Sequence, residues 1–147
     1  METIIAGCRS CGAKNRILLK KQHLNPRCGT CKEAVDLSNQ ALPVPLGDHD
    51  FQQFLKAAPI PMLADFFAPT CGPCRALAPI IINLACSYVG RLIVATVDTS
   101  HHPGTSAHYQ IRAVPTLLFF RNSVLVDQMI GAPAERELIT KLEQLLQ

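Results

Sequence analysis

The sequence predicts an α/β fold, a mixed central sheet with helices on both faces, preceded by a small four-cysteine module. Three observations carry this expectation. Short apolar runs alternate with stretches whose apolar residues recur at helical spacing, the pattern of a layered sheet-and-helix domain. Four of the seven cysteines fall in two Cys-x-x-Cys pairs near the start of the chain. Between the two blocks lies Leu42, Pro43, Val44, Pro45 and Leu46, an expected extended link, because proline fixes φ and biases the residue before it away from helix. The expected division is therefore 1–42 and 43–147.

The elements of the second block follow in order. Asp48 is placed to cap a helix whose apolar positions are Phe51, Phe54, Leu55 and Ala58. Residues 61–67 form an apolar run, read as a buried strand that contains one acid, Asp65. Leu77, Ile80, Ile81, Leu84, Ala85 and Tyr88 share one helical face, and Pro79 is expected to kink that helix near its start. Residues 92–97 read as a second buried strand, and 105–109 as a short helix. Residues 116–120 and 124–130 read as a strand pair around Arg121, Asn122 and Ser123. Leu138, Leu142 and Leu145 mark a last helix. From the first buried strand the order is β-α-β-α-β-β-α, which calls for a mixed sheet covered on both faces.

Composition excludes several classes. Hydrophobic residues make up 48% of the chain and charged residues 17%, with a mean hydropathy of +0.18, so wholesale disorder is excluded. No run approaches the roughly 18 consecutive apolar residues of a membrane span. The start has no basic region followed by a long apolar one, so no secretory signal is read and the expected location is the reducing cytoplasm. Clustered cysteines in that compartment point to metal binding or catalysis rather than structural disulfides. Residues 1–42 hold seven Lys/Arg and three acids, a net +4, against −1 for the remainder. That excess is too small to argue for nucleic acid as a partner.

Cys8, Cys11, Cys28 and Cys31 have the spacing of a zinc-ribbon-like site. Each Cys-x-x-Cys turn offers two thiolates to one face of a metal, and four sulfurs close a tetrahedron without an open position. Gly12 suits the tight knuckle after Cys11, because glycine tolerates positive φ. A segment of about 40 residues with little apolar content needs one metal ion to fold. Zinc is the expected ion, and iron fits the same tetrahedron. His23 lies between the pairs and, with four cysteines already present, is read as a surface residue.

The remaining pair, Cys71-Gly72-Pro73-Cys74, joins the first buried strand to the long helix. Cys71 falls at the helix N-terminus, where free N–H groups and the dipole stabilise a thiolate. Cys74, one turn in, is placed to form a disulfide with it. Pro73 is favourable in a first turn, where its missing N–H has no partner to lose.

From about residue 43 onward the chain resembles the thioredoxin family. The resemblance rests on Asp65-Phe66-Phe67-Ala68, Cys71-Gly72-Pro73-Cys74-Arg75, Pro103-Gly104-Thr105, Ile111-Arg112-Ala113-Val114-Pro115-Thr116, and Gly131. With a four-cysteine extension in front, it resembles the thioredoxin-2 type. The resemblance implies a thioredoxin fold and a protein-disulfide reductase without organic cofactor. Its partners would be disulfide-containing client proteins and, as electron donor, a thioredoxin reductase. Cys71 would attack, Cys74 would resolve, and a buried Asp65 would take the Cys74 proton. Thr70, Gly72, Pro73, the cis turn Val114-Pro115 and Gly131 would receive the client peptide. The Gly-Pro between the cysteines resembles the reducing members of the family.

The chain departs from the family pattern at Thr70 and Phe67, where tryptophans are common, and at Thr96, where a lysine often neighbours the buried acid. Cys86 is read as a structural or incidental thiol, and His101, His102 and His108 as solvated. Two other readings stand beside the reductase. One is a zinc-linked redox sensor or holdase, in which metal release exposes a client-binding surface. The other is a non-catalytic binding module.

Overall fold

The structure, a computed structural model, describes residues 2–147. Two strands, β1 (Thr3–Gly7) and β2 (Lys14–Leu18), form an antiparallel hairpin, followed by a 3-10 helix, Leu19–Leu24. Then come β3 (Val44–Pro45), α1 (Phe51–Ala57), β4 (Met62–Phe67), α2 (Gly72–Ser87), β5 (Ile93–Asp98), α3 (Pro103–His108), β6 (Thr116–Arg121), β7 (Val124–Ile130) and α4 (Glu135–Leu145). The main sheet has the order β3-β5-β4-β6-β7. Strands β3, β5 and β4 run parallel, while β6 and β7 pair antiparallel.

The central strand explains the layering. Successive side chains of a strand point to opposite faces. Met62, Ala64 and Phe66 of β4 enter one core with Phe51 and Leu55 of α1. Leu63 enters the other, with Leu77, Ile81 and Leu84 of α2 and Leu138, Leu142 and Leu145 of α4. Asp65 shares the Leu63 face, and so lies on the α2 side of the sheet. The acid in that apolar run is thereby delivered beneath the cysteine-bearing helix.

The N-terminal segment has its own small core of Ala6, Cys8, Ile17, Cys28, Val35, Leu37 and Ala41. It is also tied to the larger block, because Leu19 packs into the α1-side core with Val44 and Leu46. The cysteine knuckles are related in backbone geometry. The Gly12 amide donates to the Cys8 carbonyl at 2.8 Å, and the Lys32 amide to the Cys28 carbonyl at 3.0 Å. Both fifth residues are left-handed, Gly12 at φ 79° and Lys32 at φ 67°. Glycine takes that conformation freely and lysine does not. Lys32→Gly is therefore expected to stabilise the chain by about 1 kcal/mol, measured by urea unfolding of the full-length protein.

Three expectations need correction. Asp48 does not cap α1; its carboxylate accepts from the Gly104 amide at 3.1 Å and from the Thr105 amide and hydroxyl at 2.6 and 2.7 Å. It therefore satisfies the N-terminus of α3, across the fold. His23 is not a surface residue: it is 9% exposed and meets the Phe54 ring edge-on, because the 3-10 helix packs against the larger block. The proline link is extended, as expected, and Val44 and Pro45 within it add an edge strand beside Ala95 and Thr96. His102 is half-buried, and its Nδ1 accepts from the Asp48 amide at 3.2 Å. A Cβ at Gly47 would meet His102 Cε1, a clash that explains glycine there. Pro79 sits within an unbroken α2. Cys86 is half-buried and donates to the Ala41 carbonyl at 3.0 Å.

Candidate functional site

Cys71 is the N-cap of α2, with extended backbone at φ −85° and ψ 115°. Its sulfur accepts the Cys74 amide at 3.1 Å, so a free helix-end N–H points at the atom that carries charge in the reduced state. Gly72 and Pro73 form the first turn. The Arg75 guanidinium Nε donates to the Pro69 carbonyl at 3.0 Å and steadies the loop before Cys71. The two cysteines are joined as a disulfide, with Cα atoms 5.2 Å apart. Their exposure differs: Cys71 is half-buried and Cys74 buried. Only the first sulfur is open to an incoming molecule.

The Val114–Pro115 peptide is cis, and the Val114 carbonyl oxygen lies 3.6 Å from Cys71 Sγ. The Gly131 amide donates to the Pro115 carbonyl at 2.8 Å. Gly131 has φ 89°, and nothing lies within 4 Å of where its Cβ would be. Thr70, Gly72 and Pro73 are exposed. Gly131 is thus held against the Val114–Pro115 turn, with Val114 beside Cys71. They leave room for an extended chain.

Asp65 is 4% exposed, and its Oδ1 has no hydrogen-bond partner among the described residues. Its neighbours in register are Thr96 on β5 and Leu117 on β6, neither of them charged. Burial alone raises the carboxyl from 3.8 to about 7. Asp65 and Cys74 line one cavity, together with Phe67.

Away from the disulfide, the sulfurs of Cys8, Cys11, Cys28 and Cys31 all lie within 4.8 Å of one another. Cys8 and Cys31 are 3.6 Å apart, and Cys11 and Cys28 3.7 Å. Zinc–sulfur bonds of about 2.3 Å in a tetrahedron require edges of about 3.8 Å, so the four residues fit a zinc ion. N–H groups of Cys31 and Thr30 lower the Cys28 thiol to about 6, while burial and the neighbouring sulfurs raise Cys31 to about 12. The sequence spacing points to the same four residues. The contribution of Leu19 and Glu2 to the Asp65 cavity had no signal in the sequence, since it arises from packing between segments.

The thioredoxin family model matches residues 43–144. The chain is 35% identical over 144 residues to Thioredoxin C-3 of Corynebacterium nephridii, spanning 98% of this chain and 97% of that protein. It is 37% identical over 101 residues to the chloroplastic M-type thioredoxin of Spinacia oleracea, covering 69% of this chain and 56% of that one. A solved structure of a mutant thioredoxin from Halobacterium salinarum superposes with a TM-score of 0.66 at 27% identity, covering 72% of this chain and 92% of that one.

Proposed function

Because the chain belongs to the thioredoxin family of thiol–disulfide oxidoreductases, we propose that it reduces disulfides in client proteins through Cys71 and Cys74. The observation that carries this reading is the asymmetry of the pair: an accessible sulfur at the mouth of a helix, and a buried one a turn behind it. In the dithiol state, the Cys71 thiolate attacks one client sulfur. A Cys71–client disulfide forms, and the other client sulfur leaves as a thiolate that takes up a proton. Cys74 loses its proton to Asp65 and attacks Cys71. The second client thiol is released, and the two electrons have passed to the client. A thioredoxin reductase then restores the dithiol.

Thr70, Gly72, Pro73, Val114, Pro115 and Gly131 form the client-binding rim, where an extended peptide can pair with the Val114 backbone. Thr70 offers a small polar face where many relatives carry an indole, which narrows the apolar contact available to clients. Gly72-Pro73 supports a reducing role. Among the described residues no helix is long and apolar enough to cross a membrane, and we place the activity in the cytoplasm.

Cys8, Cys11, Cys28 and Cys31 hold one structural zinc, in a module of residues 1–42 before a domain of residues 43–147, as in the thioredoxin-2 type. The ion supplies folding free energy to a segment with a core of only a few small side chains. Metal analysis is expected to find about one zinc per chain, with most of it lost in Cys28→Ser. The experiment for the redox reading is insulin reduction by the full-length protein. Turnover that vanishes in Cys71→Ser supports it, and turnover independent of Cys71 contradicts it. If peroxide instead released zinc and switched on suppression of aggregation without reductase activity, the sensor reading would replace it.

A further inference from the structure

The cavity beside the buried acid is closed on one side by the N-terminal segment. It measures about 370 Å³, and Glu2 and Leu19 line it together with Asp65, Phe67, Cys74 and Thr96. Liquid water occupies about 30 Å³ per molecule, so several waters fit. Leu19 is 4% exposed and cannot easily move aside. Its amide donates to the Glu2 carbonyl at 3.1 Å, and its side chain is packed with Val44 and Leu46.

Asp65 has little other means of adjustment. Strands β5 and β6 present Thr96 and Leu117 beside it, and the titratable groups lining the cavity are Glu2, Asp65 and Cys74. Lys20 and Lys21 line a neighbouring cavity instead, and Lys20 is held by Asp50 at 2.6 Å. Among the described residues no cation lines the cavity, and there the ionised carboxylate depends on water.

We propose that the N-terminal module, through Leu19 and Glu2, sets the access of water to Asp65 and hence the pH at which Cys74 gives up its proton. Leu19 is a positioning residue: it touches no client and acts through the solvation of Asp65. Glu2 places a negative charge at the same cavity. This assignment rests on the reading that Asp65 serves Cys74.

The test is a carbon-13 NMR titration of the Asp65 carboxyl in the oxidised full-length protein, with insulin reduction measured on the same samples. Leu19→Ala is expected to lower the Asp65 midpoint by about one pH unit, as the widened cavity brings more water to the carboxylate. Glu2→Lys changes an exposed residue and leaves the core intact. It is expected to lower the midpoint at low salt and to lose that effect at high salt. Midpoints that stay at the wild-type value in both folded variants overturn the proposal, even where insulin reduction is normal. Midpoints that move while the pH profile of insulin reduction stays fixed overturn the reading of Asp65 as the base, and the proposal with it.

Discussion

Cys74→Ser is expected to halt the reaction at its midpoint, leaving a stable covalent adduct between Cys71 and the client. Cys71→Ser is expected to form no adduct at all. The asymmetry follows from placement. Cys71 reaches solvent and receives the Cys74 amide on its sulfur, whereas Cys74 is buried and faces Cys71. A serine at 74 keeps the helix N-terminus intact and removes the nucleophile placed to release the client. Multiple-turnover reduction should fall at least about 1,000-fold in either variant, because a serine hydroxyl is not ionised at neutral pH. Non-reducing electrophoresis with a disulfide client separates the two outcomes. Adducts of equal yield in both variants would mean that the two sulfurs are interchangeable.

The second large effect concerns Asp65. Its folded-state value of about 7 lies above the ordinary 3.8. Between those values the folded chain holds a proton that the unfolded chain has released. The stabilisation linked to that proton is therefore complete below about pH 4 and is lost as pH rises to 7. A difference of about three pH units corresponds to at most about 4 kcal/mol. Asp65→Asn removes this dependence, since an amide does not titrate. The variant is expected to be more stable than wild type above pH 7, by up to about 4 kcal/mol, with a flatter pH profile in urea unfolding. Function should move the other way. Loss of the base is expected to slow release of the client from Cys71 by about 100-fold at neutral pH, with little change in the first attack. A variant both less stable and fully active would show that Asp65 is a structural acid.

Much of this arrangement is legible in the sequence. The alternation of Leu63 and Asp65 with Met62, Ala64 and Phe66 places the acid on one face of a buried strand, and a strand cannot rotate one residue without moving its neighbours. The cysteine spacing in residues 8–31 likewise constrains four sulfurs to one site. What the sequence concealed depends on contacts between distant segments. Asp48 reads locally as a cap for the helix beginning at Phe51, yet its oxygens face Gly104 and Thr105, which satisfy them at least as well. The Val44–Pro45 strand carries too little side-chain pattern to be read as one; its existence follows from an open edge on β5. His23 and Leu19 look like ordinary members of a basic segment, and they are buried because that segment packs on the larger block.

The most direct measurement is the pH dependence of alkylation at Cys71 in the reduced full-length protein, followed by mass spectrometry of each cysteine. A thiol capped by a helix-end amide and open to solvent should be modified at neutral pH well ahead of Cys74, with a midpoint below the ordinary cysteine value of about 8.5. If Cys71 instead reacted no faster than Cys74, or only at alkaline pH, the assignment of Cys71 as the attacking sulfur would be contradicted.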